Sequence, residues 1–130
     1  MDDPSKPFFF DVAELPGATN AEMFGDGEGA EEMYELFGRD LLTKTILMSP
    51  TLSVFHETAK PGERVKPHRH GTVQVDYVLA GELIFGSHHV RAGMGYVIPD
   101  TLYSWRAGDE GAEWIEIHGG APGIFTDRPD

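Results

Sequence analysis

The chain has 130 residues, 40% of them hydrophobic, which is one domain's length with enough apolar content for a single core and excludes a disordered composition. With 22 acidic against 10 basic residues the formal net charge is −12, which argues against nucleic acid and anionic membrane as partners, since both demand a basic surface. The absence of cysteine excludes disulfides and thiolate metal sites, so any metal must be held by nitrogen and oxygen ligands.

Residues 1–7 are polar, carry two prolines and read as a tail. The start lacks the basic region and long apolar run of a signal peptide, and no stretch approaches the roughly 18 apolar residues of a membrane span. The expectation is a soluble, cytoplasmic protein. Phe8, Phe9, Phe10 and Val12 form a short run of strand formers, either a core strand or a segment that docks on a sheet edge or a partner subunit. Residues 16–30 hold four glycines with little apolar periodicity and read as loop. Ala30–Phe37 fits about two helical turns with Met33 and Leu36/Phe37 on one side, or a lead into a strand.

From Leu41 the pattern is that of strands. LLTKTILM, TLSVFHET, VQVDYVLA, ELIFG, GYVIP, LYSWRAG and AEWIEIH are separated by Gly, Pro, Ser and Asp turn residues, with breaks expected at Gly81 and at Asp109-Glu110-Gly111. Short strands at this spacing indicate an all-β sandwich or barrel in one domain.

Within this series, His68 and His70 stand one residue apart. Residues i and i+2 of a strand point to one face, so both imidazoles aim at one point while Arg69 points away. Gln74 follows, and convergent imidazoles with a further oxygen or nitrogen donor suit a divalent transition metal.

The segment Gly62–Gly81 resembles the first motif of the cupin superfamily, with Gly62, His68, His70, Gln74 and Gly81 all at the family spacing and Gln74 in place of the usual Glu. Gly93 and Pro99 fit the second motif, whose histidine is missing; Tyr103 or Ser104 falls at that position, and Tyr103 before Ser104-Trp105 is the better match. The resemblance implies a small jelly-roll barrel over residues 41–118, with an N-terminal extension over 1–40 and a tail over 119–130. It implies a pocket inside the barrel with His68, His70 and Gln74 as ligands to a divalent metal such as Fe, Mn, Ni or Zn. It implies a small-molecule ligand and a homodimer.

The departures change the chemistry. His68, His70 and Gln74 are all neutral, and a buried divalent cation with no anionic ligand is poorly compensated. Asp76 lies two residues beyond Gln74, on the same expected face, and offers the nearest carboxylate. Asp76 and Tyr103 are the candidates to move a proton. His118, in the alternating strand with Glu116 and Trp114, or His56 could supply a missing third imidazole. His88 and His89 read as exposed turn residues. Lys60, Arg64, Lys66 and Arg69 form a basic cluster beside the motif, either drawing an anionic ligand to the pocket mouth or simply solvated. The functional expectation is a metal-dependent enzyme of dioxygenase, isomerase or lyase type acting on a small oxygenated substrate. The alternative is a non-catalytic binding or sensing protein with a vestigial site.

Overall fold

A computed structural model describes residues 5–129, so the first four residues of the tail expected over 1–7, and the last residue, lie outside the described part. The all-β expectation is met by eight strands: β1 (Gly17–Thr19), β2 (Leu42–Met48), β3 (Ser53–Ala59), β4 (Arg64–His68), β5 (Gln74–Phe85), β6 (His88–Arg91), β7 (Gly95–Ile98) and β8 (Tyr103–His118). All pairings are antiparallel. The order runs β1-β2-β3-β8-β5-β6, with β4 also on β8 and β7 also on β5.

Two long strands organise the fold. The expected breaks at Gly81 and at 109–111 are not turns; both sequences continue as single strands of 12 and 16 residues. The register of β5 on β8 slips between Val78 and Ala80 and again between Gly81 and Leu83, so the pair bends there. The glycines are needed at this bend. Gly81 has φ +71°, and a Cβ there would lie 2.2 Å from the Gly111 carbonyl oxygen. A bulge and a turn recruit the same residue, which is why the sequence suggested a turn.

Two short helices precede the barrel, α1 (Asn20–Phe24) and α2 (Ala30–Phe37). The stretch expected to be loop, residues 16–30, therefore holds β1 and α1. Thr19 caps α1 through a reciprocal box with Glu22, and β1 pairs with β2 across Gly17–Lys44. The buried Asn20 amide donates to the carbonyls of Phe37 and Gly38, tying α1 to the end of α2. Phe8–Phe10 form no strand and are exposed.

Alternation sets the core. Val78 and Leu83 of β5 and Trp105, Ala107 and Trp114 of β8 are buried, with the two indoles edge to face at 5.1 Å. Each large apolar side chain so buried is worth about 1.5–3 kcal/mol. Met33, Leu36 and Phe37 seat α2 on this core. The same alternation that buries Val78 also points Asp76 and Gln74 inward, each 1% exposed.

Candidate metal centre

Three histidines converge inside one end of the barrel. The His68 and His70 rings are 4.9 Å apart, and the His70 and His118 rings are also 4.9 Å apart. His68 ends β4, His70 follows it, and His118 ends β8, so two chain segments supply the trio. Each imidazole is held by its Nδ1: His68 on the Lys66 carbonyl at 2.7 Å, His70 on the Gly123 carbonyl at 2.8 Å, and His118 on the Thr72 hydroxyl at 2.8 Å. A carbonyl only accepts, so Nδ1 of His68 and His70 carries the proton and Nε2 carries the lone pair. This anchoring is what metal-ligating histidines show. Burial pushes His68 down to about 4 and lowers His70 as well, so both are neutral donors at neutral pH.

Glu116 supplies the charge. Its Oε2 lies 2.9 Å from His118 Nε2, and its Oε1 accepts the Trp114 indole N–H at 3.1 Å. Burial alone would raise this acid, but the hydrogen bond and charge of His118, with His70 and Trp114, hold it below the ordinary carboxylate range. His70, Glu116 and His118 each present a ligand atom within 4.8 Å of the others, a two-nitrogen, one-carboxylate donor set that fits a divalent transition metal. His68 stands beside this group and outside it.

The five residues singled out by motif and spacing lie together in the interior. Gln74, however, is spoken for. Its amide nitrogen donates to Asp76 Oδ2 at 2.7 Å, and its oxygen accepts the Tyr103 hydroxyl at 3.0 Å. The Tyr103 oxygen is also 3.0 Å from His70 Nε2, so one hydroxyl proton faces two acceptors. Burial, then Glu116, raises Asp76 well above the ordinary range. Glu57 is raised in the same way by burial and then by Glu116, while Thr43 donates to its Oε2 at 2.8 Å.

Glu116 was the residue that motif reasoning missed. Its signal was present, because it shares a strand face with His118 at i−2. His118 does face inward; His56 is instead bonded to Glu113 at 2.8 Å and belongs to the other face of β3. His88 and His89 are exposed but lie in β6. The basic cluster disperses: Arg69 pairs with Asp100 and Asp127, and Lys60 with Asp40. Arg64 and Lys66 are exposed and do not line the cavity beside the histidines.

That cavity, about 140 Å³, lies between the histidines and the N-terminal helices. Its polar wall holds His68, His70, Tyr103 and Glu57, and its apolar wall includes Phe24 and Phe37. The C-terminal segment closes one side. Arg69 and Phe125 exchange backbone bonds at 2.9 Å, which brings Ile124 to the cavity and Gly123 to His70.

The barrel matches solved structures of cupins. An RmlC-like cupin from Ralstonia eutropha superposes with a TM-score of 0.67 at 15% identity, over 88% of this chain and 69% of that one. The chain has the cupin fold. Oxalate decarboxylase of Bacillus subtilis matches with a TM-score of 0.55 at 21% identity, over 62% of this chain and 26% of that one, so the chain spans about a quarter of its length. An oxalate oxidase in complex with the substrate analogue glycolate matches with a TM-score of 0.51 at 28% identity, over 58% and 46% of the two chains. No protein-family model matches the sequence, and no curated protein does. Among the described residues, no helix is long and apolar enough to cross a membrane.

Proposed function

We propose that the protein is a metal-dependent enzyme acting on a small oxygenated molecule, with the metal held by His70, Glu116 and His118. The observation that carries this reading is the anchoring of three Nδ1 atoms beside one ionised carboxylate. The donor set differs from His68, His70 and Gln74, the set implied by the motif, and it removes the charge deficit of that set. His68, neutral and lining the cavity, stands beside that donor set and outside it. A divalent ion there supplies a Lewis acid that polarises a substrate oxygen.

The chain's own groups do the rest. Tyr103 reaches the cavity and burial keeps its hydroxyl protonated; with that proton given to Gln74, the hydroxyl oxygen is the atom that accepts a hydrogen bond from a substrate hydroxyl. Asp76 does not line the cavity; through Gln74 it positions Tyr103. Phe24, Phe37 and Ile124 exclude water and take the carbon part of the substrate. A cavity of about 140 Å³ matches the size of one that holds a six-carbon ring, which sets the scale of the substrate. The cupin fold of oxalate decarboxylase and oxalate oxidase supports an oxygen-rich substrate class, in the dioxygenase, isomerase or lyase range.

Metal analysis of tag-free protein tests the reading. Stoichiometric metal should disappear in His118→Ala and persist in Gln74→Ala. Protein that stays metal-free after growth in supplemented medium would sink it. A second reading, ligand binding without turnover, is favoured by the Tyr103 hydroxyl on His70 Nε2; it expects tight ligand binding that is indifferent to chelators.

A cytoplasmic location goes with this reading. So does a homodimer. The outer sheet face carries Val97, Val75 and Ile117 in one cross-strand row and Tyr77 and Ile115 in the next, with Val97 65% and Tyr77 50% exposed. An apolar face on so acidic a molecule fits a second copy of itself. Light scattering should give a dimer mass that Val75→Asp reduces to the monomer.

A further inference from the structure

Arg64 of β4 and Arg106 of β8 are directly opposite each other across the strand pair, and both are exposed. Like charges at such a position repel and destabilise the pair. Lys66, exposed two residues further along β4, lines the same cleft as Ser104 of β8. Arg39, Lys60, Arg69 and Arg91 have acidic partners. Arg64, Lys66 and Arg106 form no ion pair among the described residues, although acids outnumber bases. Among the described residues Lys6, Lys44 and Arg128 also lack an acidic partner, so what sets Arg64, Lys66 and Arg106 apart is their grouping. They line a single cleft of about 500 Å³ with a floor that includes Pro67 and Ile84.

We propose that this cleft binds a small oxyanion, the phosphate or carboxylate group of a small molecule. Arg64 and Arg106 present forked donors suited to such a group, Lys66 adds a point charge, and Ser104 adds a hydroxyl. The repulsion between the two arginines is relieved when an anion sits between them. The volume lies within the small-molecule range. Three cations on a chain of net charge −12 are too few to hold a nucleic acid. The buried Val65 and Trp105 line both this cleft and the cavity beside the histidines, but Arg64, Lys66 and Arg106 line the cleft alone.

Isothermal titration with inorganic phosphate and, separately, with succinate tests the proposal at low ionic strength. At least one should bind saturably at one site, and which one does identifies the group recognised. The double variant Arg64→Gln/Arg106→Gln should weaken that binding by about a hundredfold, at roughly tenfold for each charged donor. Arg91→Gln, which removes one cation outside the cleft, should leave it intact. Without anion the double variant should melt no lower than the parent, since a repulsion has been removed, and it should lose the anion-induced rise in Tm. Absence of saturable binding by both anions, or equal loss in Arg91→Gln, overturns the proposal.

Discussion

Glu116 and His118 stand two positions apart on β8, and Oε2 of the carboxylate lies 2.9 Å from Nε2 of the imidazole. The i, i+2 rule that joins His68 to His70 therefore builds a second pair, and the two pairs meet where the His70 and His118 rings approach to 4.9 Å. The carboxylate's part in this is charge. Glu116→Gln keeps the shape and removes the charge, and divalent-metal affinity should fall at least about tenfold. Competition against a chromogenic chelator measures it.

Thr72 holds His118 from behind, with its hydroxyl 2.8 Å from Nδ1. A hydroxyl can donate to that nitrogen or accept from it, so it serves His118 both when Nε2 bears a proton and when Nε2 bears a metal. Thr72→Val removes this support and should cost about 10–100-fold in metal affinity while the far-ultraviolet spectrum stays unchanged. Thr72→Ser should restore most of the affinity; a purely packing role for Thr72 predicts no rescue.

Glu57 gives the pH dependence of stability its sign. Burial raises its carboxyl well above the value in the unfolded chain. Below the unfolded pKa both states are protonated and stability is complete; as pH rises through the folded pKa, stability is lost. Asp76 acts in the same direction. From neutral to alkaline pH, above the range in which the buried His68 and His70 titrate, Tm should therefore fall. Glu57→Gln should melt several degrees higher at pH 8, with a flatter profile, in calorimetric scans. A lower Tm at pH 8 would show that the charged form is the stable one.

The bend in β5 and β8 makes a sharp comparison between two glycines. Gly81 and Gly86 both have positive φ, at +71° and +60°, but a Cβ meets backbone at 2.2 Å in the first case and nothing within 4 Å in the second. Gly86→Ala should cost only the left-handed backbone penalty, about 1–2 kcal/mol. Gly81→Ala should cost that and at least about 2 kcal/mol more, because the Gly111 segment has to move. Urea titration of both variants separates the two effects.

The barrel was readable because the spacing of Gly62, His68, His70 and Gly81 is fixed by how one strand enters and leaves a motif. Alternation alone placed Asp76 inward. The donor set was harder. Gln74 lies at a family ligand position, and only its neighbours show that both ends of its amide are engaged by Asp76 and Tyr103. Glu116 lies 46 residues beyond His70, and a face assignment on β8 does not by itself say which residues it will meet. Arg64 and Lys66 were grouped with Arg69 by sequence proximity. Pairing separates them, since Arg69 is held by Asp100 and Asp127 while Arg64 and Lys66 line the cleft with Arg106.

The ligand set is the central claim, and anomalous diffraction from a crystal of the metal-loaded protein tests it most directly. The predicted result is one interior peak within about 2.0–2.3 Å of Nε2 of His70, Nε2 of His118 and a carboxylate oxygen of Glu116. A peak bonded to the Gln74 amide oxygen, with Glu116 and His118 still bonded only to each other, would contradict it.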